Sequence, residues 1–122
     1  MNKKVIVSIV AVIAIVALLG VFLVACNADS YQKKLDKKGY SVHVATEAEI
    51  KVAELVYGDI DWMVEGIKGS DEVTIVKFEK SDNAKKFADD MKELAKDEDN
   101  AAVKTIGKIV ICGTKQGVKD AQ

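Results

Sequence analysis

From Val5 to Ala25 every residue except Ser8 and Gly20 is apolar, with Lys3 and Lys4 just ahead of the run and Cys26 directly behind it. A stretch that is apolar all round has no polar face to turn to water, so it cannot be one side of a small folded domain. It divides the chain at Cys26 into a hydrophobic leader and a remainder that must build its own core. The run is also long enough to cross a membrane, since about 20 apolar residues span a hydrocarbon core of about 30 Å.

A basic head, an apolar stretch and small residues before a cut site are the marks of a secretory signal peptide. The run ends in Leu23-Val24-Ala25-Cys26. These four residues match, position by position, an aliphatic residue, a small or aliphatic one, Gly/Ala/Ser, and an obligatory Cys. The leader therefore resembles that of a bacterial lipoprotein precursor. The resemblance implies that residues 1–25 are a signal peptide, cut between Ala25 and Cys26. It also implies a diacylglyceryl thioether on Cys26 that holds the mature chain on the outer face of the cytoplasmic membrane. Two acyl chains, at about 0.8 kcal/mol per buried CH₂, anchor a protein stably where one chain does not. The competing topology is an uncleaved single-pass anchor. Lys33, Lys34, Lys37 and Lys38 outnumber the lysines before the run, which would invert such a helix. The position of Cys26 favours cleavage.

Removing residues 1–25 from the 122 leaves 97, enough for one small domain with a modest core. Two of the 18 basic residues lie in the leader, so the remainder carries 16 against 19 acids, a net charge of −3 with His43 neutral. Every basic residue is lysine. Bidentate reading of phosphates and base edges relies on arginine, so a nucleic-acid partner is not expected. With Cys26 lipidated, Cys112 has no partner for an internal disulfide. Its setting, Ile109-Val110-Ile111-Cys112, reads as a strand with the thiol acting as a small buried hydrophobe.

Residues 26–39 read as the lipidated cysteine followed by a tether and two helical turns, Tyr31 to Lys38, capped by Asp29 or Ser30 and stopped at Gly39. Residues 40–122 then read as a small α+β domain. Tyr40 to Ala45 alternates as a strand. Thr46 and Glu49 form a capping box for a helix with Ala48, Val52, Leu55 and Val56 along one side. Ile60–Lys68 and Glu72–Glu79 should pair as a hairpin about Gly69-Ser70-Asp71. Ser81 opens a helix whose stripe is Ala84, Phe87, Ala88, Met91, Leu94 and Ala95. Asp97 to Asn100 ends that helix, and Val103 to Gly113 returns as a strand bent or broken at Gly107. A short helical tail follows Thr114. The order β-α-β-β-α-β matches the ferredoxin-like split βαβ plan, an antiparallel sheet with two helices on one face. Val42, Val44, Val52, Leu55, Trp62, Phe87, Met91 and Leu94 should share the core.

The residues that carry chemistry are few. A zinc site needs several His or Cys ligands, and His43 and Cys112 are too few. Asp97-Glu98-Asp99-Asn100 lacks the glycine and glutamate of a calcium loop. No metal and no cofactor is expected. Nucleophilic catalysis would have to use His43, with Cys112 on the same sheet face and an adjacent strand. Asp59, Asp61 and Glu65 are candidate paired carboxylates, although in a hairpin they should face water. Gly113-Thr114-Lys115 lacks the spacing of a phosphate loop, which leaves Thr114 as a helix cap. The reading that results is a non-catalytic interaction or binding module. The alternatives are a small-ligand carrier, or an enzyme or accessory domain using His43, Cys112 or the three carboxylates. Alternation places Met63, Ile67, Val73, Ile75, Val110 and Cys112 on the sheet face away from the helices. That apolar face should be covered by a second copy, by a partner or ligand, or by the chain's own segments 31–38 or 114–122.

Overall fold

A computed structural model describes residues 28–122; the signal peptide, its cleavage site and Cys26 lie outside the described residues. The elements are α1 (Asp29–Lys37), β1 (Ser41–Val44), α2 (Glu47–Tyr57), β2 (Ile60–Lys68), β3 (Asp71–Phe78), α3 (Ser81–Ala95), β4 (Ala101–Ile106), β5 (Ile109–Thr114) and α4 (Lys115–Ala121). The hairpin of β2 and β3 turns at Gly69 as its turn residues predict, with Glu65 opposite Thr74 and Val64 opposite Ile75. Thr114 caps α4 by accepting from the Gly117 N–H at 3.2 Å. Residues Ala84, Phe87, Ala88 and Met91 of α3 are buried as its stripe predicts. The expected caps of two helices are replaced. Ala28 and Lys80 precede α1 and α3, and neither makes a side-chain cap bond.

The fold is α+β, with one five-stranded sheet in the order β1-β2-β3-β5-β4. Every neighbouring pair is antiparallel. This order departs from the ferredoxin-like expectation. A split βαβ unit keeps its first two strands apart with another strand between them, whereas β1 and β2 are direct neighbours here. The fifth strand arises at Gly107, whose φ of +62° suits a residue without Cβ. There the stretch 103–113 folds back on itself as the β4–β5 hairpin.

The helices lie on both faces, so the molecule has three layers. On one face Ala28, Leu35, Val118 and Ala121 pack with Val44, Trp62, Val64, Val73, Ile75 and Ile111. On the other, Ala84, Phe87, Ala88 and Met91 pack with Ile60, Met63, Val76, Phe78, Val110 and Cys112, and Ile50, Ala53 and Tyr57 of α2 lie against them. The terminal segments thus cover a face that two helices alone would leave bare. Among the described residues the core extends ahead of Tyr40, because Ala28 and Leu35 have no exposed surface. Tyr40 fastens the terminal layer, its Oη donating to Asp120 Oδ2 at 2.7 Å.

The expected outward patch is not a patch. Val73 and Ile75 are aligned with Gly66 and Val64, so they share a face with Trp62 and pack under α1 and α4. Met63, Val110 and Cys112 point the other way, under α2 and α3. Ile67 is 40% exposed. Register, rather than alternation within each strand, decides which residues meet. Met63, Val73, Ile75, Val110 and Cys112 are buried within the chain itself, covered by its own helices.

Helix α2 also departs from expectation. Val52, Leu55 and Val56 are 51%, 86% and 72% exposed, and Glu49 is its only buried residue. The capping box explains this orientation. Glu49 Oε1 accepts both the Thr46 N–H at 2.6 Å and the His43 Nε2–H at 2.9 Å. Those bonds turn the helix so that positions 49, 50, 53 and 57 meet the sheet, and the apolar stripe at 52, 55 and 56 turns away.

Candidate functional site

Thr46, Glu49, Glu65 and Thr74 are the buried polar residues among those described. Thr46 and Glu49 sit at the start of α2, and Glu65 and Thr74 are paired on the sheet face that α2 and α3 cover. Pairing across the strands sets His43 beside Glu65, Glu65 beside Thr74, and Thr74 beside Cys112. One polar row therefore crosses three strands and ends in a thiol. The Glu49 carboxylate can only accept, so its bond to His43 places a proton on Nε2. Glu49 Oε2, Glu65 Oε2 and Thr74 Oγ1 are buried with no protein partner, and leaving such groups unpaired is costly.

The Glu65 carboxyl is pushed from 4.5 up to about 7, chiefly by burial; His43 opposes the shift, and Glu72 and Glu49 add to it. Between these two pH values the native state holds more protons than the unfolded chain. The contribution of Glu65 to stability therefore falls as pH rises from about 4.5 through about 7. At about 1.4 kcal/mol per pKa unit the loss amounts to roughly 2–3 kcal/mol by pH 8. Glu65→Gln keeps the shape without the charge. It should gain that much over the parent at pH 8 relative to pH 5. Urea midpoints of both proteins at the two pH values check this, and a difference that does not change with pH contradicts it.

The remaining sequence candidates are scattered. His43 and Cys112 share a face and a row, but they are not on adjacent strands. β2 and β3 stand between them, which at about 4.8 Å per strand separates the two positions by about 14 Å. Burial pushes the Cys112 thiol up to about 12, far from the thiolate that a nucleophile requires. Asp61 is paired with Lys77 at 2.9 Å and Asp59 lies 3.8 Å from Lys80. Glu65 is buried rather than facing water. The three carboxylates are thus not assembled.

Asp59 instead has Glu54 and Glu79 for company, with one oxygen from each within 4.8 Å of the others. Glu54 Oε2 accepts the Ile60 N–H at 2.9 Å, and the Glu79 N–H donates to the Asp59 carbonyl at 3.1 Å. These bonds close the ends of the hairpin. The sequence reading missed Glu49 as the partner of His43, because the capping box already gave that carboxylate a task. The sign available in the sequence was the separation of six residues, a strand end turning directly into a helix.

Between α2 and α3 there is a shallow groove of about 140 Å³, lined by Val56, Tyr57, Gly58, Asn83, Lys86, Phe87 and Asp90. Drug-sized ligands occupy pockets of about 300–1,000 Å³, so this groove suits a side chain rather than a whole ligand. No helix among the described residues is long and apolar enough to cross a membrane. Comparison of the chain with protein-family models, curated proteins and solved structures finds no match in any of the three.

Proposed function

We propose that the chain is a bacterial lipoprotein precursor whose mature form is a non-catalytic interaction module, held by lipid on the outer face of the cytoplasmic membrane. The observation that carries this reading is Leu23-Val24-Ala25-Cys26 at the end of an apolar leader with a basic head. The non-catalytic part is supported by the buried thiol of Cys112 and by the dispersal of His43 and the three carboxylates. A protein that acts by contact needs only to be placed, and two acyl chains do that.

The test is Cys26→Ala in bacterial cells supplied with an alkyne-tagged fatty acid. The parent should incorporate the tag and run as the shorter mature form. Cys26→Ala should lose the tag entirely and accumulate at precursor size. Equal tagging and equal size for the two proteins would overturn the reading.

A further inference from the structure

The exposed stripe of α2 has a partner if the lipid anchor is taken with the geometry of the chain, an argument that rests on the lipoprotein reading above. Val52, Leu55 and Val56 stand at i, i+3 and i+4 on one side of α2 and are 51%, 86% and 72% exposed. Leu55 is almost fully open, and Val56 only borders the groove against α3. Ala28, by contrast, has no exposed surface and belongs to the core. The linkage from Cys26 to Ala28 covers two residues, which reach at most about 7 Å. An acylated Cys26 would therefore hold the bilayer surface close to the folded body.

The start of α1 and the end of α2 lie toward the same end of the sheet, on opposite faces of it. Tyr31 in the first turn of α1 packs on Trp62, ring centroids 5.6 Å apart, so the start of α1 lies beside the first residues of β2. Helix α2 ends at Tyr57, and β2 begins at Ile60, so the end of α2 lies at that same end of the sheet. Both helices flank the β1–β2 side, α1 on one face and α2 on the other. We infer that the exposed α2 stripe of Val52, Leu55 and Val56 rests in the interface of the bilayer that the Cys26 anchor holds, giving the domain a fixed orientation on the lipid surface. Aliphatic side chains on one side of a helix suit the boundary between headgroups and acyl chains. The same three residues lack the planar aromatic and arginine anchors that concentrate energy at protein interfaces.

The test uses the full chain, processed in cells, extracted in detergent and reconstituted into vesicles of phosphatidylethanolamine and phosphatidylglycerol. A polarity-sensitive thiol dye is placed at Lys51→Cys, one helical turn before Leu55, and in a separate protein at Thr105→Cys on the exposed far edge strand. Cys112 is buried and Cys26 is capped when acylated, so the dye reports one site. The dye at position 51 should shift to the blue and be quenched severalfold more by nitroxide-bearing lipids than the dye at 105. Adding Leu55→Glu should remove the difference.

Intact mass of each preparation separates the two layers of the argument. An unacylated chain overturns the anchor and this orientation with it. An acylated chain whose positions 51 and 105 are quenched equally overturns the orientation alone. A blue shift at 51 without lipid quenching puts a protein surface there, such as a second copy, and also overturns it.

Discussion

Phe78→Ala should destabilise the domain by about 3–5 kcal/mol, the usual cost of truncating a buried aromatic residue. Phe78 has no exposed surface. Its ring lies 5.4 Å from that of Phe87, which meets Tyr57 edge-on at 4.8 Å. Three elements, β3, α3 and α2, are joined through these rings, and the Phe78 backbone N–H is tied to the Lys108 carbonyl at 2.9 Å. Domains are stable by about 5–15 kcal/mol, so the loss brings this one close to its limit. Leu55→Ala removes a side chain that is 86% exposed and should change stability by no more than about 0.5 kcal/mol. Urea unfolding followed by the fluorescence of Trp62, the sole tryptophan, compares them. Equal losses would mean that the orientation of α2 is wrong.

Gly113→Ala should be more damaging still, about 4 kcal/mol or more, the range kept for broken backbones and cores. A Cβ at Gly113 would lie 2.1 Å from the Glu72 carbonyl oxygen and 2.8 Å from the Val73 Cα, and its φ is +151°. Both obstacles are backbone, and Gly113 is paired with Val73 across the centre of the sheet. No side chain can swing aside to relieve the contact, so β3 and β5 would have to part. Gly69→Ala is the control. Its φ is +61° with nothing within 4 Å, and it should cost only the roughly 1–2 kcal/mol of a left-handed residue with a Cβ. Circular dichroism melts of the two variants check the contrast. A Gly113→Ala protein as stable as Gly69→Ala would contradict the strand packing described.

What the sequence made legible was local. The β2–β3 hairpin, the stripe of α3, the capping box at Thr46 and Glu49 and the cap at Thr114 follow from turn residues and periodicity, and they form as expected. What stayed hidden depends on contacts between distant segments. Element order alone does not say which strands become neighbours, so β1 was expected away from β2 and lies beside it. Alternation within β3 is ambiguous because Val73, Ile75, Val76 and Phe78 are apolar at both parities. Only the pairing of Ile75 with Val64 assigns them to faces.

The polar cluster under α2 shows the same division. Thr46 and Glu49 were readable as a cap. That the same carboxylate reaches His43, and so turns Val52, Leu55 and Val56 outward, depends on where β1 delivers the histidine. The burial of Glu65 follows from α2 lying above it, which a strand pattern cannot disclose.

The place of this protein depends on the fate of Cys26, and intact-mass analysis of the chain extracted from bacterial membranes addresses it most directly. The account predicts a mass equal to residues 26–122 with a diacylglyceryl group on Cys26, and no species that retains residues 1–25. A chain of residues 1–122 with a free thiol at position 26 would contradict it.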